Sequence, residues 1–182
     1  AATHAGKITP MDYQGKKELR AQLTEARPHS SKGLTEQLAA ILSSSRAKTI
    51  ASYVPLANEP DVSEFNQLAV QRANLVLPRI IGDTLEFASG EQVRGPLGIF
   101  EPTGEAVAIS SIGLMIVPAL AVDEMGNRLG KGKGFYDRVL GSFRGLSVAV
   151  VFDSEVIEAV PSEPHDQRVA MIATPLRTLI VG

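Results

Sequence analysis

Apolar, β-branched runs alternate along this chain with segments whose apolar residues recur at helical spacing. TIASYVPL, NLVLPRII, TLEFAS, LMIVPAL and SVAVVF predict strands, and LIVG at the C-terminus predicts a last one. GKKELRAQLTEAR predicts a helix with Leu19, Leu23 and Ala26 on one face, stopped by Pro28, and GLTEQLAAILSSSR predicts a second. DVSEFNQLAVQRA predicts a third, through Phe65, Leu68 and Ala69. Strands that alternate with helices imply an α/β fold, a single domain with a mostly parallel sheet flanked by helices on both faces.

The 182 residues, 44% hydrophobic and 21% charged, suffice for one core, expected over residues 11–182. The opening AATHAGKITP, residues 1–10, is polar and aperiodic and reads as a disordered extension or a remnant of an expression vector. A formal charge of −2 argues against a protein that lives by binding nucleic acid. The absence of cysteine excludes disulfides, thiol catalysis and thiolate metal sites, and His4, His29 and His165 lack zinc-motif spacing. No apolar run approaches the ~20 residues of a membrane span. The chain reads as a cytoplasmic monomer.

One segment carries chemistry. In GNRLGKGKGFYDR the glycines Gly130, Gly132 and Gly134 alternate with Lys131 and Lys133, Arg128 precedes them, and a helix is expected from Phe135. Alternate glycines let an anion approach the backbone and permit the positive φ that turns successive N–H groups inward. The helix N-terminus adds its dipole and the cations add charge, so the loop suits a polyphosphate. It is not a Walker motif, because each lysine is followed by glycine; a dinucleotide fingerprint would need glycine where Phe135 stands, but Asp153 at the end of the next strand keeps that reading as an alternative. A surface loop kept soluble by its lysines has the same pattern.

Asp137, in the first turn of that helix, complements the dipole whatever its function, and beside a polyphosphate it is a magnesium-ligand candidate. Asp166, in PSEPHDQR, is a second candidate or an ordinary turn residue. At about 100° per residue, Lys16, Arg20 and Arg27 form a cationic stripe beside Leu19 and Leu23, either a pocket edge or a solvated face.

Taken in order, KKELR, ANEPDVSEF, GPLGIFEPTG, IVPALAVDEMGNRLGKGKGFYDRVL and PSEPHDQR resemble the 5-formyltetrahydrofolate cyclo-ligase family. The resemblance implies a fold similar to the NagB/RpiA/CoA-transferase type and an ATP- and Mg2+-dependent enzyme that makes 5,10-methenyltetrahydrofolate from 5-formyltetrahydrofolate. It implies that Lys16, Arg20, Arg128 and the run Gly130, Lys131, Gly132, Lys133, Gly134 hold ATP, with Phe135 and Tyr136 beside them. By the same resemblance Asp137 and Asp166 hold magnesium, and Arg20, Val54, Glu59, Phe135 and Tyr136 meet the folate. Lys133, Arg128 and Tyr136 then form the catalytic centre. Phe135 and Val62 stand where the family commonly carries hydroxyl side chains.

Overall fold

The structure, a computed structural model, describes residues 15–182, so the reading of residues 1–10 lies outside the described residues. The strands are β1 (Thr49–Ala51), β2 (Asn74–Ile81), β3 (Thr84–Ala88), β4 (Gln92–Arg94), β5 (Phe100–Pro102), β6 (Leu114–Pro118), β7 (Ala121–Asp123), β8 (Arg128–Leu129), β9 (Leu146–Val150), β10 (Val156–Ile157), β11 (Met171–Ala173) and β12 (Thr178–Ile180). The helices are α1 (Lys16–Glu25), α2 (Leu34–Ser45), α3 (Ser63–Val70) and α4 (Phe135–Ser142).

A seven-stranded sheet runs in the order β12-β11-β9-β6-β1-β2-β3. Its five central strands pair in parallel, and β3 and β12 close the edges antiparallel. Alternate residues of each central strand feed opposite cores. Ile50, Leu114, Ile116, Val148 and Val150 pack with α2 and α3, whereas Ala51, Met115, Val117 and Ala149 pack with Val139 and Leu140 of α4. Burial on both faces is why these strands are written as unbroken apolar runs. The α/β expectation holds.

Between β1 and β6 the strand order reverses: β2 follows β1 outward on one side, and β9 follows β6 on the other. Open α/β sheets form their ligand crevice beyond the carboxyl ends of strands at such a reversal. A second, three-stranded sheet, β10-β7-β8, lies beyond the end of β6. Leu19 and Leu23 of α1 are buried against Leu120, Ala121, Leu129, Ile157 and Val160, worth about 1.5–3 kcal/mol for each leucine. That packing presents the Lys16–Arg20 edge of α1 to the crevice.

One local expectation needs correction, and two features were not foreseen. TIASYVPL leaves the ladder after Ala51, although Ser52 and Tyr53 stay buried. The two- and three-residue strands β7, β8, β10 and β11 are too short to show periodicity in the sequence. Val62 is fully buried in the α3 core and lies at that helix's N-cap with no side-chain cap.

Candidate active site

A cleft of about 850 Å³ opens at the strand-order reversal, and Lys16, Arg20, Val54, Glu59, Arg128, Gly130 to Asp137 and Asp166 all line it. Every residue singled out for a ligand by motif or resemblance therefore reaches one cavity. Four segments deliver them: the N-terminal half of α1, the turn after β1, the stretch from β8 into the first turn of α4, and the loop after β10.

The glycine turn has the form an anion site needs. Gly132 and Gly134 have φ of +99° and +70°, values L side chains rarely adopt. Gly130 is glycine for a different reason: a Cβ there would stand 2.8 Å from Arg128 Nη1. Among the described residues, none of the backbone N–H groups from Lys131 to Asp137 finds a protein acceptor. The last three are the open donors of the first turn of α4. The residues that carry these free amides line the cleft together with Arg20 and Arg128. Arg20 Nε donates to the Gly130 carbonyl at 2.8 Å. Arg128 is 6% exposed, donates from Nη1 to the Pro118 carbonyl (3.3 Å) and from Nη2 to Asp137 Oδ1 (3.2 Å), and leaves Nε buried without an acceptor. An orphaned guanidinium donor beside open amides fits an anionic group.

Tyr136 lies beneath Arg128, whose Cζ is 5.8 Å from the ring centroid. Burial, and next the charge of Glu59, push the Tyr136 hydroxyl far above its ordinary range, with Arg128 opposing. The phenol is thus a donor at neutral pH and not a base. Phe135 lines the cleft while packing on the α4 core. An apolar part of the lining comes from Pro78, Ile80, Leu85, Leu97, Ile99 and Phe100. Its strands and its Gly/Pro-rich stretch are visible in the sequence, without any sign of this role.

Glu59 is held by its own turn, with Oε2 accepting the Leu56 amide at 2.9 Å. Its Oε1 lies 2.6 Å from Lys131 Nζ, so Lys131 spans the cleft toward Glu59 and Lys133 forms no ion pair among the described residues. Arg27, third in the cationic stripe, is not at the cleft surface. It lies beyond the end of α1 and is buried against Glu155.

Asp137 and Asp166 approach through the backbone: Asp137 Oδ1 accepts the Gln167 amide at 3.2 Å. Asp166 accepts the Glu163 amide (2.6 Å) and Lys16 Nζ (2.5 Å), and Lys16 also meets Glu163 at 2.6 Å. Glu163, His165 and Asp166 bring ligand atoms within 4.8 Å of one another. Asp137 lies outside that group; carboxylate oxygens of this kind could serve magnesium, which takes one or two of them when phosphate and water complete its shell.

Burial alone would raise the Asp166 carboxyl and lower the Lys16 amine. Their mutual hydrogen bond and charge outweigh it, so Asp166 lies below and Lys16 above its ordinary range. Asp166 therefore contributes stability that is full above its unfolded value of about 3.9 and is lost as pH falls on through its lowered folded value. The Lys16 contribution is full below about 10.4 and is lost as pH rises on through its raised folded value. Lys16→Met is expected to lower the urea midpoint at pH 7, with the gap to the wild type starting to close below about pH 4 and closing fully only beneath the lowered Asp166 value. A gap that widens in acid would contradict this pairing.

Sheet, crevice and amide turn define an α/β protein with a cleft at its strand-order reversal. The chain belongs to the 5-formyltetrahydrofolate cyclo-ligase family, whose sequence profile matches residues 13–175. It is 32% identical to a 5-formyltetrahydrofolate cyclo-ligase of Mycolicibacterium smegmatis, over 93% of this chain and 98% of that one. It is 26% identical to the Haemophilus influenzae cyclo-ligase, over 91% and 93%. The solved 5,10-methenyltetrahydrofolate synthetase of Aquifex aeolicus superposes with a TM-score of 0.79 at 29% identity, covering 91% of this chain and 92% of its own. The Mycoplasma pneumoniae synthetase, at 22% identity and a TM-score of 0.72 over 87% and 98%, shares the fold.

Proposed function

We propose that this protein converts 5-formyltetrahydrofolate to 5,10-methenyltetrahydrofolate with cleavage of ATP to ADP and phosphate, and that the cleft holds both substrates. The observation that carries the nucleotide half is the unpartnered amide row from Lys131 to Asp137, set beside Arg128 with its orphaned Nε. The family membership carries the folate half.

A formamide resists ring closure because its nitrogen donates into the carbonyl and the oxygen would have to leave as hydroxide. In the reading proposed here the formyl oxygen attacks the γ-phosphorus and the bond to the ADP oxygen breaks. The N10 nitrogen then attacks the activated formyl carbon, the C–O bond breaks, and phosphate departs carrying the N10 proton. Positioning and charge stabilisation suffice for such a transfer, so a chain without cysteine is not handicapped.

The amide turn, Lys16, Arg20 and Arg128 hold the phosphates, and Lys133 offsets charge on the transferring group. The Tyr136 hydroxyl, kept protonated by burial, donates a hydrogen bond near the reacting oxygens. Glu59 exchanges Lys131 for the N–H donors of the pterin, beside Val54 and Phe135, and the apolar wall from Ile80 to Phe100 receives the ring faces. Asp137 and Asp166 would hold Mg2+, which supplies charge neutralisation on the phosphate oxygens when bound.

Incubation with Mg-ATP and 5-formyltetrahydrofolate should raise the methenyl absorbance, with one ADP per product and nothing without ATP. Tight binding of both ligands with no absorbance change would instead identify a non-catalytic relative of the family.

A further inference from the structure

Resting on the cyclo-ligase reading, we propose that the buried Arg27–Glu155 pair is a positioning device for the nucleotide side of the cleft, acting through the backbone carbonyl of Ala119. Arg27 lies just past the end of α1, the helix that brings Lys16 and Arg20 to the cavity. Its Nε donates to Glu155 Oε1 at 2.6 Å, and its Nη2 donates to Glu155 Oε2 at 3.2 Å and to the Ala119 carbonyl at 2.6 Å. Glu155 is fixed in turn, since its Oε2 accepts the Phe152 amide at 2.9 Å. The Phe152 ring lies 5.6 Å from the guanidinium.

Pro118, the residue before Ala119, gives its carbonyl to Arg128. Two guanidinium groups therefore grip consecutive carbonyls where β6 ends, and both Pro118 and Ala119 line the cleft. The two carbonyls belong to successive planar peptides joined at the Ala119 Cα, so only the Ala119 φ and ψ separate them, and fixing the Ala119 carbonyl restricts where the Pro118 carbonyl, and with it Arg128, can point. One side chain thus ties the end of α1, the end of β6 and the segment after β9 into a single frame around the phosphate subsite.

Stability is a poor explanation for the pair. Both side chains are almost wholly buried, and taking two charges from water offsets most of what their attraction returns. Burial pushes the Glu155 carboxyl above its ordinary range despite the Arg27 bonds. Arg27 Nη1 is left buried without an acceptor. What the pair does provide is direction, because a planar fork fixes the carbonyl it holds.

Arg27→Met alone would leave Glu155 an uncompensated buried charge and lose the fold's stability for that reason. The informative variant is Arg27→Met/Glu155→Leu, which removes both charges and fills the space with apolar groups. Its urea midpoint is expected to stay near that of the wild type. The KM for ATP and the calorimetric Kd for a Mg-bound, non-hydrolysable ATP analogue are expected to rise about tenfold, with the KM for 5-formyltetrahydrofolate within about twofold. A folded double variant with wild-type ATP KM and analogue Kd would overturn the positioning role. Should the double variant not fold, Arg27→Lys decides: lysine keeps the charge but cannot span both Glu155 and Ala119, so the same tenfold rise is expected, and wild-type values overturn the role. Absence of turnover in the wild type would count against the cyclo-ligase reading itself, whereas an unchanged analogue Kd in a folded variant counts only against Arg27.

Discussion

Lys133→Ala is expected to cut turnover by a factor on the order of 10² to 10³, the size of effect seen when one preorganised charge donor is removed from a transition state. Its unfolding midpoint should not move. Lys133 is exposed, and its amine forms no hydrogen bond or ion pair among the described residues; only its backbone carbonyl is engaged, by Arg138. Lys131, two residues earlier, gives the contrast, because its ammonium is already committed to Glu59 at 2.6 Å. A steady-state assay with a parallel urea titration checks the prediction. Wild-type turnover in a folded variant would remove Lys133 from the catalytic centre.

Asp137→Asn is expected to lower kcat by a factor on the order of 10² and to raise the Mg2+ concentration needed for half-maximal activity. Asparagine keeps an oxygen where Oδ1 now accepts Arg128 and the Gln167 amide, so the local frame survives and only the charge is lost. Lys133→Ala should leave the Mg2+ requirement unchanged, which separates the two roles. An Asp137→Asn enzyme with the wild-type Mg2+ titration curve would show that the carboxylate serves Arg128 alone.

The architecture could be read from the chain because parallel strands buried on both faces must be apolar at successive positions, and NLVLPRII and LMIVPAL are. The glycine turn was legible for a related reason: Gly132 and Gly134 occupy backbone conformations closed to other residues, so their spacing carries geometry directly. The small sheet was not, since β8 and β10 have two residues each. Nor was the fate of Arg27, whose spacing placed it with Lys16 and Arg20. Its partner Glu155 lies 128 residues away, and nothing local marks either as half of a buried pair. The apolar cleft wall was likewise hidden, because Leu97 and Phe100, the latter opening β5, come from a Gly/Pro-punctuated stretch whose meeting with Ile80 and Leu85 depends on the whole sheet.

Backbone amide shifts during titration with a Mg-bound, non-hydrolysable ATP analogue test the phosphate subsite most directly. Saturable movement of the Lys131 to Asp137 amides, with the Arg128 side chain following, is the expected result. Saturable binding that leaves those amides unmoved while shifting a distant surface would contradict a nucleotide held by the glycine turn.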